Sequence, residues 1–503
     1  MPSRFSAARE QVAARLPSAA TVLVAVAAGA AGLAGSYAVA GFTPGFLTAP
    51  VATVLTNRMP GAVVTFAILV LGDLGKVLNL AAALAVSVLL LAGTAFLGIA
   101  AGRRARVSAF APVVGGVSSL VVSLVVTGAV TPSLAAGAGV AAVLAVAAVA
   151  GAVGSPRGVS SDRRRVLGGV AAALSLSAGG VLAGDRTTTA TQATLAVDDA
   201  VLDEASSLLA EADEKSMGVD GIEPLVSERF YNVDIANVDP DPDTETWELT
   251  VTGDVEEELT YEYDDITAMD AENRFVSLRC VGESLNGKKL DTALWQGVPI
   301  RDLVDPAGVP DNCCVMLRAA DGFYEEFPLP ALDDALLAFG MNGEVLPRSH
   351  GYPARALVPG HWGEINVKWL TEIEVLQTEQ TGYWEERGWH GTGPVETVAK
   401  LHATNVRDGG RVQVAGHAYA GTRGIDRVEV STDGGETWTD AALSDPLPGD
   451  DVWRQWTHEY DAPGERHDVV VRAVDGTGDL QPEEETDAFP SGPTGWVSKT
   501  IDA

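Results

Sequence analysis

The N-terminal part of the chain is a series of apolar stretches, each long enough to cross the roughly 30 Å hydrocarbon core of a bilayer as a helix. These stretches occupy residues 18–40, 77–101, 108–130, 132–153 and 166–184. They are rich in Ala, Gly and Val, small residues that let helices pack closely in lipid. A further apolar run, 61–72, is too short to span alone and predicts a re-entrant or interfacial piece. Residues 1–185 therefore predict a transmembrane α-helical bundle of about five helices, with six as the alternative count.

The rest of the chain has short alternating runs separated by Gly, Pro and Asp. Residues 186–227 predict a linker with one helical stretch near 196–213. In residues 228–392, WELTVTGDV, RFVSLRCVG and CCVMLRAADG predict strands and ALLAFG predicts a short helix, which together indicate an α+β domain. Residues 393–503 carry strand patterns alone, with Asp433-Gly434-Gly435 suited to a hairpin. This last region predicts an immunoglobulin-like β-sandwich.

The charge is distributed unevenly between these two parts. The whole chain has a net charge of −33, but residues 1–184 carry +9 and the remainder carries −42. Disorder would be one consequence of so much negative charge, but the acidic part also contains all ten tryptophans and many apolar runs, so it can build cores. A folded domain with an acidic surface that stays hydrated in concentrated salt indicates a halophilic protein. The same charge excludes nucleic-acid binding, which needs a basic surface.

Arginine clusters predict the orientation in the membrane. With five spans, three clusters fall on the same side: Arg4, Arg9 and Arg15; Arg103, Arg104 and Arg106; Arg157 and Arg163–Arg165. The positive-inside rule assigns that side to the cytoplasm. We therefore expect a multi-pass protein of the cell membrane, in contact with lipid, whose acidic portion is extracellular.

One of these clusters has two interpretations. Arg163-Arg164-Arg165 and the weakly apolar residues up to 180 resemble a twin-arginine export signal, but they also suit a plain charge cluster before a helix. A protein that acquires a complex cofactor in the cytoplasm must cross the membrane already folded, and the twin-arginine route carries folded cargo. This argument favours the export signal.

Histidines and cysteines limit the redox groups that the chain can hold. All seven histidines follow residue 184, so the anchor is predicted to lack the axial ligands of a membrane haem. There is also no CxxCH motif and no iron–sulfur spacing, and electrons would therefore pass to a separate soluble or membrane carrier. The three cysteines do not form a disulfide framework, since Cys313 and Cys314 are adjacent and poorly placed to bridge each other.

Two features of the acidic part could carry chemistry. Cys280 ends a predicted strand and enters a Gly-containing turn, where a thiol could be a soft metal ligand, a nucleophile or a core residue. Further along, His350, Arg355 and Lys368 lie among Gly and Pro residues. Three cations grouped in so acidic a domain suit a phosphate or another polyanion, the alternative being salt bridges to local acids.

The order of these motifs resembles the sulfite oxidase family of molybdopterin-dependent oxidoreductases, in a membrane-anchored form of haloarchaeal type. Residues 228–392 are similar to its molybdopterin domain in FYNVD, WELTVTGDV, RCVG, ALWQGVPIRDL, ADGFYEEFPL, LLAFGMNGEVLPRSHGYPARALVPG, NVKWL and GYWEERGW. Residues 393–503, with RGIDRVEVSTDGGETW, are similar to its immunoglobulin-like dimerisation domain. The resemblance implies a molybdenum–molybdopterin cofactor and a homodimer formed through the C-terminal domain.

The resemblance also implies roles for individual residues. Cys280 would be the thiolate bound to molybdenum and the catalytic residue. His350, Arg355 and Lys368 stand at the family's spacing for holding the pterin and its phosphate. Tyr231 and Asp234 fall in the segment that approaches the cofactor. The chemistry implied is oxygen-atom transfer coupled to two-electron cycling of the metal.

The chain departs from the family where an anionic substrate would bind. The animal and plant enzymes have Asn-Arg-Arg after the cysteine, whereas this chain has Gly282-Glu283-Ser284, and FYNVD lacks an arginine that they have. Glu283 beside the metal would oppose an anion, and Arg279, Arg348 or His361 could compensate. The sequence therefore leaves three hypotheses: oxidation of a sulfite-like oxyanion, reduction of S- or N-oxides such as sulfoxides, and a non-catalytic membrane-anchored binding or sensor module.

Overall fold

A computed structural model describes residues 17–152, 160–187, 195–310 and 313–502. The chain forms two compact units. The helical unit comprises Met1–Met59, Asp73–Thr191 and Ala236–Asp239, and the sheet unit comprises Pro60–Gly72, Gln192–Ile235 and Pro240–Ala503. Four arginines used to predict the orientation lie outside the described residues, namely Arg4, Arg9, Arg15 and Arg157.

Helices account for most of the described N-terminal part and recur only briefly later. In chain order they are α1 (Ala19–Ala40), α2 (Thr48–Arg58), α3 (Gly61–Phe66), α4 (Asp73–Ala105), α5 (Phe110–Thr127), α6 (Val130–Ala152), α7 (Ser161–Thr187), α8 (Asp199–Lys215), α9 (Tyr263–Thr267) and α10 (Ile300–Val304). A short π-helix, Ala67–Leu71, directly follows α3. The helix predicted near 196–213 is confirmed as α8.

Four helices in the described part of the helical unit are long and apolar enough to cross a membrane: α1, α4, α5 and α6. The count rises to five if the bent pair of Thr48–Arg58 and Gly61–Leu71 forms one span. The predicted span 166–184 lies in α7, which is not among the four. Asp162 and the three arginines after it occupy the first turns of α7, and they lower its apolar content.

Glycines allow close contacts between helices of this unit. A Cβ atom on Gly29 would lie 2.4 Å from the carbonyl oxygen of Val88, and one on Gly139 would lie 2.5 Å from that of Ala31. Real Cβ atoms do not approach so closely, so only glycine fits at these crossings. The interpretation of the small residues as packing positions is therefore confirmed.

The sheet unit contains nineteen described strands. They are β1 (Glu248–Gly253), β2 (Leu259–Glu262), β3 (Glu272–Arg279), β4 (Leu290–Pro299), β5 (Cys314–Ala319), β6 (Tyr324–Pro328), β7 (Leu336–Met341), β8 (Glu344–Val345), β9 (Arg355–Leu357), β10 (Leu370–Leu376), β11 (Val398–Ala399), β12 (Ala403–Val406), β13 (Arg411–Tyr419), β14 (Ile425–Ser431), β15 (Thr439–Asp440), β16 (Ala442–Leu443), β17 (Arg454–Asp461), β18 (His467–Asp475) and β19 (Val497–Ile501). The strands predicted from alternation are confirmed.

Four sheets organise these strands. The first two have the orders β2-β1-β10-β5-β6 and β3-β4-β7-β8, with β9 also paired to β7. The other two, formed after residue 397, have the orders β11-β13-β17-β16, with β12 paired to β13, and β15-β14-β18-β19. Valines of β13, β14 and β18 share one hydrophobic cluster, so the two C-terminal sheets have a common core. The predicted hairpin is present, because β14 and β15 pair antiparallel around Gly434 and Gly435, both at positive φ.

Two predictions from the sequence are wrong. ALLAFG is not a helix but lies almost entirely in β7, whose six residues are all buried and pair with β4, β8 and β9. A short apolar run does not distinguish a buried strand from a buried helix, and tertiary pairing decided this one. The sequence also predicts that Cys313 and Cys314 do not bridge each other. The structure joins them in a disulfide, with their Cα atoms 3.8 Å apart.

Candidate active site

Cys280 lies one residue beyond β3, at the start of a tight turn. Its backbone N–H donates to the carbonyl of Lys289, and its own carbonyl accepts from the N–H of Glu283. The thiol is not in a disulfide, and the residue remains partly exposed. Burial of the thiol raises its pKa, and the positive charge of Lys289 opposes that effect. A thiol in such a place stays protonated until a metal displaces the proton.

Of the three residues predicted to hold the pterin, His350, Arg355 and Lys368, Arg355 is the one that is buried. It begins β9 and is 4% exposed, and its guanidinium lies 5.2 Å from the centre of the Trp295 ring. Its Nη1 and Nη2 atoms donate to the carbonyls of His350 and Asn366, at 3.2 and 3.0 Å. Its Nε–H is buried and has no hydrogen-bond partner. One donor of a fixed cation is thus left for another acceptor.

Lys368 lies just before β10 and is held by acceptors. Its ammonium donates to Asn232 Oδ1 at 2.6 Å, to Asp234 Oδ2 at 2.8 Å and to the carbonyl of Ser349 at 2.9 Å. The side chain of Asp234 is only 3% exposed. The role seen for Asp234 is therefore to orient Lys368.

His350, Arg355 and Tyr231 lie close together, since Arg355 donates to the carbonyl of His350 and the Phe230 ring lies 5.6 Å from the His350 ring and 5.5 Å from the Tyr231 ring. Burial, then the charges of Arg355 and Lys368, lower the pKa of His350 to about 4, so the imidazole is neutral near pH 7. Burial also lowers the pKa of Arg355 to about 10. Burial is the main cause that raises the pKa of Tyr231 well above its usual value, so its phenol keeps its proton.

Glycines bring the backbone close to this group. A Cβ atom on Gly363 would lie 2.8 Å from the hydroxyl oxygen of Tyr231, and one on Gly351 would lie 3.0 Å from Cβ of Arg355. A Cβ atom on Gly282 would lie 3.9 Å from the sulfur of Cys280. A soft thiol, an arginine with an unused donor and closely approaching backbone fit a pterin-bound metal with a phosphate.

The carboxylate of Glu283 is paired with two buried cations. Its Oε1 accepts from Arg279 Nε at 2.9 Å and from the Lys400 ammonium at 2.5 Å, and all three side chains are at most 1% exposed. Arg279 is therefore engaged with Glu283 and does not supply a free positive charge. The part played by Lys400 was not predicted, because it lies 117 residues away in sequence and no local pattern marks it.

The other two cations considered as compensation also have partners. Arg348 forms an ion pair with Asp241 at 3.6 Å. His361 has its Nδ1 2.9 Å from the carbonyl of Pro359, and burial lowers its pKa. Sequence reasoning further missed three acidic side chains, Glu325, Glu364 and Glu385, that converge in this unit.

Comparison with known proteins identifies a molybdopterin-binding oxidoreductase domain in the sheet unit. A family profile described as "Oxidoreductase molybdopterin binding domain" matches residues 236–384, and one described as "Mo-co oxidoreductase dimerisation domain" matches residues 395–490. Sulfite oxidase of Gallus gallus is 32% identical over 233 residues, 39% of this chain and 51% of that protein. Mitochondrial sulfite oxidase of Rattus norvegicus is 29% identical over 307 residues, 50% of this chain and 55% of that protein. The chain thus contains a molybdopterin-binding domain and a dimerisation domain that are similar to those of sulfite oxidases.

The chain spans about half the length of the curated relatives, 55% for the Rattus norvegicus protein. A solved structure, the sulfane dehydrogenase SoxCD of Paracoccus pantotrophus, aligns over 49% of this chain and 72% of that chain, with 24% identity and a TM-score of 0.44. The cofactor of this domain is the molybdenum cofactor.

Proposed function

We propose that this protein catalyses molybdenum-dependent oxygen-atom transfer on a small substrate, with oxidation of a sulfite-like oxyanion as the first candidate. The bound cofactor would supply the two-electron chemistry and the protein would position it. The observation that carries this proposal is the free thiol of Cys280, whose neighbour Arg279 and the Tyr231 hydroxyl both approach Gly363, together with the buried and unused Nε–H of Arg355. The thiol suits a soft metal, and the unused N–H of Arg355 suits an anion.

The residues of the chain would divide the work as follows. Cys280 would lose its proton and hold the metal as a thiolate. Arg355, His350 and Lys368 would hold the pterin and its phosphate, with His350 neutral and acting through a hydrogen bond. Asp234 and Asn232 would fix the ammonium of Lys368. Tyr231, which keeps its proton, would donate a hydrogen bond near the metal.

Reduction of S- or N-oxides is the second candidate, and one observation favours it. Arg279 is bonded to Glu283 inside the protein, so the cation nearest in sequence to Cys280 does not offer its charge to an oxyanion. A neutral oxide does not need that charge. Loading with cofactor but no turnover would instead support the third candidate, a binding or sensor module.

Turnover in both directions tests the reaction. Purified holoprotein would be assayed with sulfite and an artificial electron acceptor, and separately with dimethyl or methionine sulfoxide and a reduced viologen dye. Oxidation of sulfite to sulfate takes its oxygen from water and releases two electrons and two protons, whereas reduction of a sulfoxide consumes two electrons and two protons and yields the thioether and water. Sulfite turnover supports the first candidate, sulfoxide turnover alone supports the second, and neither supports the third.

We further propose that the apolar helices form a membrane anchor with the sheet unit outside the cell. Support comes from the four apolar helices and from the arginine clusters, provided that α7 is a fifth span, because only an odd number of crossings puts the sheet unit on the side opposite the arginines. The predicted domain boundaries after residues 185, 227 and 392 belong to this proposal, as does a separate electron carrier. The common core of the two C-terminal sheets supports an immunoglobulin-like sandwich, and the dimerisation-domain match supports a homodimer.

A further inference from the structure

Three glutamates from separate parts of the sheet unit bring their carboxylates together. Glu325 lies in β6, Glu364 lies in the short turn Gly363–Ile365, and Glu385 begins the turn Glu385–Arg387. A carboxylate oxygen from each lies within 4.8 Å of one from each of the others. Since 39 and 21 residues separate them along the chain, only the fold brings them together.

This cluster is buried, and no cation among the described residues pairs with it. Glu325 is 0% exposed and Glu364 is 9% exposed. Both carboxylate oxygens of Glu364, and both of Glu385, are buried without a hydrogen-bond partner. Within the described residues none of the three forms an ion pair with Lys, Arg or His. Buried carboxylates without partners are costly, and a cluster of three calls for a ligand of opposite charge.

The backbone leaves room for the carboxylates to converge. A Cβ atom on Gly382 would lie 1.4 Å from Oε1 of Glu325, and one on Gly391 would lie 1.9 Å from Oε2 of Glu364. Any side chain at either position would displace a carboxylate. The unpartnered and nine-tenths buried Glu364 therefore points into a space that two glycines keep open.

We propose that Glu325, Glu364 and Glu385 bind one hard divalent cation of the Ca²⁺, Mn²⁺ or Mg²⁺ class. Hard cations take oxygen ligands, and Ca²⁺ binds them at about 2.3–2.6 Å, so two ligand oxygens of one ion lie at most about 5 Å apart. The separations within the cluster fit that limit. Without an ion, burial and mutual repulsion raise the pKa of Glu325 and of Glu364, which is the cost that a cation would remove.

The proposed cation lies beside the candidate active site. Gly391, which Glu364 approaches, also approaches Val281, because its Cβ would lie 3.2 Å from Val281 Cγ1. Trp389, two residues earlier, contacts the position of Gly282. A cation would thus tie β6 and the turn at Glu364 to the segment that covers the residues after Cys280. This binding does not depend on the proposed reaction.

Metal analysis and thermal unfolding test the proposal on the purified full-length holoprotein. The protein would be stripped with EDTA and titrated with CaCl₂, MnCl₂ and MgCl₂ in about 1 M NaCl, which screens weak binding to the acidic surface. We expect about one tightly bound divalent ion per chain and a rise in Tm. Glu364→Gln and Glu385→Gln should each weaken binding at least about tenfold. Molybdenum measured in the same samples reports on the cofactor separately.

Matched controls and a stability comparison keep the test decisive. Glu386→Gln changes an exposed neighbour of Glu385 and should bind the ion normally. In the absence of divalent ions, Glu364→Gln should unfold at a Tm equal to or above that of the unmodified protein, because it removes repulsion. Absence of ion-dependent stabilisation, or an equal Tm rise in Glu364→Gln and Glu386→Gln, would overturn the proposal and indicate carboxyl groups that share protons.

Discussion

Glu283 is the residue at which the expectation from the sequence and the structure differ most informatively. The sequence placed its negative charge beside the metal, whereas the structure uses it to neutralise Arg279 and Lys400 inside the sheet unit. Its second oxygen accepts from the N–H of Lys289, the residue whose carbonyl holds Cys280. Glu283 thus helps to fix Lys289, which in turn holds the backbone of Cys280.

Replacing Glu283 tests that role. Glu283→Gln leaves two buried cations without a counter-charge, and breaking a buried pair in this way costs about 3–5 kcal/mol. We expect a loss of that size in the free energy of unfolding, measured by denaturant titration. Glu257→Gln, on an exposed carboxylate, should change stability by less than about 0.5 kcal/mol. Equal effects of the two substitutions would contradict the buried network.

The lowered pKa of His350 predicts that the stability of the fold depends on pH. Its pKa in the folded protein is about 4, below its ordinary value, because of burial and the charges of Arg355 and Lys368, with Asp234 opposing. The unfolded chain therefore binds a proton first as the pH falls, so the contribution of His350 to stability is present above about pH 6.5 and is lost towards pH 4. The stability advantage over His350→Gln, from unfolding titrations, should shrink between pH 7.5 and 4.5. A constant difference would contradict a neutral His350.

The site residues differ in how far the sequence could identify them. Cys280, His350, Arg355 and Lys368 stand in local motifs, so a resemblance was enough to select them. The partners of Glu283 and the convergence of Glu325, Glu364 and Glu385 depend on sheet order, which local patterns do not contain.

At the scale of elements, the pattern of apolar residues predicts which segments are strands better than it predicts their burial and their partners. β3, β5, β13, β14, β17 and β18 follow from short apolar runs. β7 was mistaken for a helix because every residue in it is buried, so that it lacks the alternation of a half-exposed strand. The parallel pairing of β1 with β10, distant in sequence, could not be predicted because strand partners depend on the whole fold.

The turn at Gly363 offers a test of how closely backbone and site are packed. A Cβ atom there would lie 2.8 Å from the Tyr231 hydroxyl and 3.2 Å from the carbonyl oxygen of Arg279. Gly363→Ala should therefore destabilise the protein by about 1–3 kcal/mol and reduce cofactor content. Gly393→Ala is the matched control, since nothing lies within 4 Å of the added carbon. Thermal unfolding and pterin content would measure both, and equal behaviour of the two variants would contradict tight packing at Gly363.

At the scale of the molecule, an apolar, positively charged part precedes a strongly acidic one. Composition and the arginine positions predicted this division, and four apolar helices in the described part of the helical unit agree with it. The number of spans was harder to predict, since α7 combines a charged start with a weakly apolar remainder. Charge and length alone do not decide whether such a helix enters lipid.

The start of α7 tests the export hypothesis. Replacing Arg163 and Arg164 with Lys keeps the positive charge but removes the paired arginines that a twin-arginine signal requires. We expect the sheet unit to remain inside the cell, as shown by protection from external protease in intact cells. Substitution of Arg103 and Arg104 by Lys serves as the control and should leave export unchanged. Normal protease accessibility of the first variant would show that this segment is a plain charge cluster.

The central claim is that Cys280 holds molybdenum in a cofactor bound by His350, Arg355 and Lys368. Its most direct test is the molybdenum and pterin content per chain of the purified protein and of Cys280→Ser, with the double variant Cys313→Ser and Cys314→Ser as a control for loss of other sulfurs. We expect about one molybdenum per chain in the unmodified protein and the control, and its loss in Cys280→Ser. No stoichiometric molybdenum in the unmodified protein, or full loading of Cys280→Ser, would contradict the account.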